Sequence, residues 1–373
     1  SILIWFHGAS IGEITSVIPL IGYLKIYNKD IKILITTVTL SSGKIVEEKF
    51  SNDKNIYHQY FPLDVNHLTK RFLEIWKPDL VGFIDSEIWP NFILNIKKKG
   101  IPLILINGRI TKKTFNRWKI LRTFSNKVFR SFDLCLPSSK ESENNLANLN
   151  AKNIKYFGNL KYCSTLQNVN SFKNIKIQTE KNSKIWCAVS THSGEEIFCA
   201  EVHKLLVKSH KNVKTIIIPR HINRVNEILI SLNKMGLKTQ IKNENDNIDE
   251  NSEIILVNYY GAVFKYYENF KQIFIGKSLI KKLENDAGQN PLDAARMGCF
   301  VFHGPYVSNF KEIYEFLDSE NISNRVDNKD ILAQKLIDNF NSNYKNNNKT
   351  DKLNKHSEEI FHKVIQEYES IIR

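Results

Sequence analysis

The sequence predicts an α/β fold built from two Rossmann-like halves, and three observations predict it. The first is the opening stretch, where the apolar run Ile2-Leu3-Ile4-Trp5-Phe6 breaks at His7-Gly8-Ala9 and opens a helix through Ser10-Ile11-Gly12-Glu13. Strand, tight turn and helix in that order are how a doubly wound sheet presents chemistry at a strand's carboxyl end. The second is alternation: 32–39, 57–61, 79–84 and 101–106 are apolar, β-branched or aromatic, with amphipathic stretches between them. Such alternation makes βαβ units and a parallel sheet. The third is a restart of the pattern at Ile185–Ser190, followed by Thr191-His192-Ser193-Gly194-Glu195-Glu196, in a chain of 373 residues. That length exceeds what one core usually organises.

Taken in order, the first turn carries two readings. Ser10-x-x-Glu13 is a capping box, and Glu13 is also a carboxylate placed where ligands bind in such folds. The turn Ser41-Ser42-Gly43 and the pair Trp89-Pro90 each follow a predicted strand. Asp85-Ser86-Glu87 ends the strand 79–84; two carboxylates there suit a divalent cation on a nucleotide diphosphate, or they complement the dipole of a helix opened by Pro90. Residues 115–132 read as one helix, with Phe115, Trp118, Leu121, Phe124, Val128 and Phe132 on a stripe and Arg117, Arg122, Lys127 and Arg130 elsewhere. The stripe is a core face, or with its cations a face for an anionic membrane surface.

From 159 to 183 the composition turns polar, which marks a linker. The expected organisation is a first domain over 1–160, a linker over 161–183, a second domain over 184–353 and a last helix over 354–373 that crosses back onto the first domain. In the second half, 213–218, 253–257, 272–276 and 299–303 read as strands. Residues 243–250 carry acids without the glycine and spacing of a calcium loop, so they read as a solvated connection. Residues 341–352, nearly all Asn, Lys and Ser, read as mobile.

Composition narrows the partners. Lys+Arg 53 against Asp+Glu 39 give a net +14, which favours an anionic partner, although Lys and Asn enrichment through base composition produces the same number. No basic-aromatic module of known spacing is present, so nucleic acid is not the expected partner. Five scattered cysteines, without a C-x-x-C pair, argue against a disulfide framework and a zinc site. No run approaches a membrane span and no signal peptide heads the chain, which begins at Ser1 just before a core strand.

Two later stretches carry chemistry. Pro219-Arg220-His221 puts cations at a strand end, where an Arg forks onto phosphate or carboxylate. Ala287-Gly288-Gln289-Asn290-Pro291-Leu292-Asp293, with Gly276-Lys277-Ser278 upstream, reads as a nucleotide platform: a glycine-rich turn and a helix start facing phosphate, with Asp293 one turn in facing ribose hydroxyls.

The ordered set Trp5–Glu13, Asp85–Asn91, Asn107-Gly108-Arg109-Ile110, Ser190–Glu196, Pro219-Arg220-His221 and Gly288–Asp293 resembles the lipid A 3-deoxy-manno-octulosonic acid (Kdo) transferases, from Ile4 to about Glu312. The resemblance implies a GT-B glycosyltransferase, two Rossmann-like domains facing across a cleft, that moves Kdo from CMP-Kdo to a lipid A precursor in lipopolysaccharide synthesis. It implies Glu13 as general base, with Glu87 and Arg220 beside it in the catalytic set. Donor contacts fall to Arg220, His221, Gly276, Lys277, Ser278, Gln289, Asn290 and Asp293, and the acceptor side to Ser10, Gly12, Asp85 and Arg109. The expected transfer is inverting and needs neither metal nor cofactor, because Arg220, Lys277 and the amides at Ser278 and Asn290 neutralise the departing CMP. The family usually has Glu at the place of Asp293, often Gly at Lys277, and an N-terminal anchor; the expected location is the cytoplasmic face of a bacterial inner membrane. Rival readings are a nucleotide-sugar epimerase on the same fold and a non-catalytic two-domain binding protein.

Overall fold

β1 (Leu3–His7) is buried along its whole length, and its side chains divide by alternation. Ile4 and Phe6 enter one apolar cluster while Leu3 and Trp5 enter another, so the strand is a central one with a core on each face. Around it, in the computed structural model, lie β2 (Lys32–Thr37), β3 (Ile56–Tyr60), β4 (Leu80–Ile84), β5 (Leu103–Gly108) and β6 (Leu134–Pro137), in the spatial order β3-β2-β1-β4-β5-β6. All neighbours run parallel. The order reverses between β1 and β4, and the loops leaving those two strands carry 8–10 and 85–89.

The structure describes residues 2–164, 177–179, 183–342 and 349–372. It divides into one unit of Ser1–Thr165 with Lys355–Arg373 and another of Leu166–Asn354. The second unit has β7 (Lys184–Thr191), β8 (Val213–Pro219), β9 (Thr239–Lys242), β10 (Ile254–Val257), β11 (Gln272–Ile275), β12 (Phe300–His303) and β13 (Ser323–Arg325), ordered β13-β12-β11-β7-β8-β10-β9. Here the reversal falls between β7 and β11. Trp186 and Ala188 face one cluster, Cys187 and Val189 the other.

Three expectations on the elements need correction. Residues 115–132 are not one helix: Lys112–Ile120 and Arg122–Phe129 are separate helices, broken at Leu121 with φ −106° and ψ 56°. The break divides the apolar stripe. Val128 and Phe132 are buried and Phe115 and Trp118 pack partly on the core, whereas Ile120, Leu121 and Phe124 stay exposed. The linker does not begin at 161, because Leu160–Cys163 form a 3-10 turn whose Leu160 and Tyr162 are buried; within its remainder, 165–176 and 180–182 lie outside the described residues. The polar stretch 341–352 is helical at both ends, closing the helix Lys329–Ser342 and opening Lys349–Ile372; residues 343–348 lie outside the described residues. That last helix places Val364 and Tyr368 in the core of the first unit, where Lys155 Nζ also donates to both Glu367 oxygens at 2.7 and 2.8 Å.

Candidate functional site

The helix Ile11–Tyr27 begins at Ser10, and both halves of the capping box are present. Glu13 Oε2 accepts from the Ala9 amide at 2.5 Å and from Ser10 at 3.4 Å, which pins the carboxylate against the turn. Gly8 permits this closeness, since a Cβ there would meet Glu13 Cβ and Ile14 Cδ1 at 3.1 Å. Burial pushes the Glu13 carboxyl up from 4.5 to about 7, and the nearby charges of Asp85 and Glu87 push the same way against the two amides. Cap and perturbed acid are therefore one residue. Ser10 and Gly12 are exposed on the first turn.

The charges acting on Glu13 come from the loop after β4. Asp85 is buried with φ +59°, a left-handed backbone held in place by its amide donating to Ile106 O and its carbonyl accepting from the Arg109 amide at 3.0 Å. Burial raises its carboxyl, opposed by the cations of Lys161 and Arg109. Lys161 Nζ lies 3.7 Å from Asp85 Oδ2. It is brought there by the 3-10 turn, whose Leu160 amide donates to Asn107 Oδ1 at 2.8 Å.

Glu87 is held differently. One of its oxygens, Oε2, contacts His7 Nε2 at 3.0 Å and accepts from Trp89 Nε1 at 2.7 Å. Behind it, Trp5 Nε1 donates to Thr36 Oγ1 at 2.9 Å, and Thr36 Oγ1 lies 3.0 Å from His7 Nδ1. Burial lowers the His7 pKa, which favours the neutral ring; its Nε2 faces Glu87, and its Nδ1 faces both Thr36 Oγ1 and, at 3.2 Å, the Thr36 carbonyl. Burial pushes the Glu87 carboxyl up, but the bonds from His7 and Trp89 outweigh it and hold it below its ordinary value. Glu87 thus remains anionic near Glu13. Pro90 does open a helix, but neither acid stands in its first turn, which corrects the helix-dipole reading of the pair; Glu87 is engaged by His7 and Trp89, and Asp85 lies beside Lys161. Among the described residues, no group of three or more His, Cys, Asp or Glu gathers as metal ligands would.

In the second unit, Arg220 and His221 follow β8 directly and are exposed. The Arg220 guanidinium pairs with no carboxylate among the described residues, while its amide donates to Thr191 O at 3.0 Å. His221 lies 5.9 Å from the His192 ring, and charges on Lys277 and His221 both act on His192. These three residues belong to one neighbourhood at the carboxyl ends of β7, β8 and β11.

The platform read into 276–278 needs correction. The amides of Lys277, Ser278 and Leu279 all donate to the buried Glu195 carboxylate, at 2.7, 2.9 and 3.1 Å. They are not open to a phosphate. Ser278 is fully buried, its hydroxyl donating to Ile275 O and accepting from the Gly304 amide, so it holds loops together rather than contacting a donor. Gly276 makes room for this, since a Cβ would sit 2.7 Å from Glu195 Oε2 and Ser190 O. Lys277 Nζ pairs with Asp286 at 3.0 Å.

The helix read from Asn290-Pro291 is also shorter than its supposed dipole requires: it spans only Leu292–Arg296. Asn290 Oδ1 accepts from the Leu292 amide at 3.0 Å, and the Gln289 carbonyl accepts from Tyr314. Asp293 stands in this turn, its carboxyl raised by burial and opposed by Arg296. Glu195, Glu196, Lys161 and the His7 contact carry no functional motif of their own in the sequence. The acids were visible only as a repeat of the Glu13 turn, and nothing local pairs residues 80 positions apart.

Comparisons with known proteins bear on the family and the fold. The family model for 3-deoxy-D-manno-octulosonic-acid transferase (kdotransferase) matches residues 1–164. A probable mitochondrial 3-deoxy-D-manno-octulosonic acid transferase of Arabidopsis thaliana is 31% identical, over 86% of this chain and 72% of that protein. The 3-deoxy-D-manno-octulosonic acid transferase of Rickettsia bellii (strain RML369-C) is also 31% identical, over 83% and 73%. Among solved structures, a glycosyltransferase from Rickettsia africae ESF-5 matches with a TM-score of 0.64 at 13% identity, over 100% of this chain and 99% of that one. A putative UDP-N-acetylglucosamine 2-epimerase from Listeria monocytogenes matches with a TM-score of 0.64 at 13% identity, over 99% and 97%. At such identity the structural likeness is one of fold, the two-unit GT-B architecture. Sequence relatives decide the rest: the chain belongs to the 3-deoxy-D-manno-octulosonic acid transferase family and is a glycosyltransferase.

Proposed function

We propose that the chain transfers Kdo from CMP-Kdo to a hydroxyl of a lipid A precursor in lipopolysaccharide synthesis, by a single inverting displacement. The observation that carries the chemistry is Glu13, a carboxyl pushed up to about 7 at the carboxyl end of β1. A base with that pKa takes the acceptor proton near neutral pH as the hydroxyl oxygen attacks the anomeric carbon and CMP departs from the opposite face. Only one carboxylate is then needed on the acceptor side. Asp85 and Glu87 serve it as fixed charges, and Arg109 lies close to Asp85 for an anionic acceptor.

On the donor side we assign Arg220, His221 and Lys277 to the phosphate, and Asn290 and Asp293 to the nucleoside. Arg220 supports this assignment because it is exposed at a strand end, with its guanidinium uncommitted among the described residues. Cations there stabilise the leaving group without a metal ion. We also assign an anionic membrane surface to Ile120, Leu121 and Phe124, which are 80%, 62% and 41% exposed, beside the exposed Arg117, Lys119 and Arg122. The matching location is the cytoplasmic face of a bacterial inner membrane.

Mass spectrometry of a lipid A precursor incubated with the protein and freshly made CMP-Kdo tests the whole reading. A gain of Kdo on the lipid, with CMP released and a chelator without effect, is expected. Donor turnover that leaves the lipid unchanged would replace transfer by epimerase-type chemistry, and affinity without turnover would leave a binding protein.

A further inference from the structure

Glu195 and Glu196 are consecutive residues in the first turn of the helix Glu195–Ser209, and they are 1% and 2% exposed. Consecutive helical side chains diverge by about 100°, so such a pair reaches two different neighbours. Glu195 Oε2 accepts from the His192 and Lys277 amides at 2.9 and 2.7 Å, and its Oε1 from Ser278 and Leu279 at 2.9 and 3.1 Å. Glu196 Oε1 accepts from Thr191 Oγ1 and Arg224 Nη1, both at 3.0 Å, and its Oε2 from Arg224 Nη2 at 3.2 Å. A carboxylate that only complements a helix dipole needs neither burial nor partners on other strands. Three of the four Glu195 amides lie beyond β11, and the Glu196 fork grips the segment that follows β8.

We propose that Glu195 and Glu196 form a two-armed brace that positions the donor-contacting loops: Glu195 sets the loop after β11, which carries Lys277, and Glu196 through Arg224 sets the segment after β8, which carries Arg220 and His221. Both arms leave one rigid helix turn, so the two loops keep a fixed spacing at the point where the strand order reverses. A bidentate carboxylate–guanidinium pair adds direction to that hold. The left-handed backbone at Lys277, φ +57°, is sustained by its amide bond to Glu195. Service to the donor rests on the donor assignment made above.

The test uses the full chain with Glu195→Gln, Glu196→Gln and Arg224→Gln. Hydrogen exchange of peptides covering 276–279 and 220–224 reads the brace, and KM for CMP-Kdo and for the acceptor reads its purpose. Glu195→Gln should speed exchange over 276–279, and Glu196→Gln over 220–224. Each should raise the donor KM by about tenfold or more, the scale of a displaced contact, while the acceptor KM stays put. Glu196→Gln combined with Arg224→Gln should be no worse than either alone, because both cut one arm. Folded variants with loosened loops and an unchanged donor KM would overturn the proposal, as would acceptor and donor KM rising together. If Glu195→Gln does not fold, the Glu196 and Arg224 variants decide by the same criteria. A wild-type chain that binds neither CMP nor CMP-Kdo would instead defeat the donor assignment, while the exchange data would still report the brace.

Discussion

At the residue scale, Glu13 joins two roles that local spacing presents as rivals. The cap was legible from Ser10-x-x-Glu13, and so was the strand-end placement. The perturbation was not, because its charges come from Asp85 and Glu87, more than 70 positions away, and Glu87 is held by a His7 contact that only the fold creates. Two predictions follow from that chemistry. Glu87→Gln keeps an oxygen for His7 and Trp89 but removes a negative charge, so Glu13 moves down toward its ordinary value. The acidic limb of the transfer pH profile should shift to lower pH; an unmoved limb would exclude Glu87 as a source of the perturbation. The second concerns stability. A carboxyl raised from 4.5 to about 7 binds its proton more tightly in the folded state, so its contribution is fully present below 4.5 and is lost as pH rises to about 7. Glu13→Gln should remove that loss, and urea titrations at pH 5 and pH 8 should differ less for the variant than for the wild type.

At the element scale, the strands were readable because parallel central strands are apolar on both faces, as in Leu3–His7. The predicted strand 32–39 runs two residues long because Thr39 is spent on capping the next helix. Where one stripe mixed core and surface residues, as at 115–132, periodicity concealed a break at Leu121. Likewise a polar composition concealed the 3-10 turn that delivers Lys161, since Asn107 holds its backbone from a distant strand. The last helix offers a direct check on packing. Tyr368 is fully buried, and its hydroxyl finds no hydrogen-bond partner among the described residues; a Cβ on Gly82 would sit 3.2 Å from it. Tyr368→Phe removes an unsatisfied polar atom and keeps the ring, so thermal unfolding should show a gain on the order of 1 kcal/mol. A loss of that size would mean that the hydroxyl is bonded.

At the scale of the whole molecule, two Rossmann-like units, each with a sheet order that reverses next to its first strand, were legible from alternation and from the restart at Ile185. What each reversal point holds was only half legible: Glu13 was visible, but the matching Glu195 looked like an echo of a motif rather than a clamp on Lys277, Ser278 and Leu279. The net charge of +14 makes one further prediction. Co-sedimentation with anionic vesicles should fall with salt and with Arg117→Ala and Arg122→Ala, each cation contributing about 1 kcal/mol near acidic lipid. Sedimentation insensitive to both would remove the membrane surface from the 112–129 helices. The role of Glu13 is tested most directly by comparing wild-type chain and Glu13→Gln, both given CMP-Kdo and a lipid A precursor, with CMP affinity measured in parallel. The wild type should add Kdo to the lipid, and the variant should bind CMP as tightly yet transfer on the order of 10²-fold more slowly or worse. A folded Glu13→Gln chain with near-normal transfer would contradict the account and leave Glu13 a helix cap.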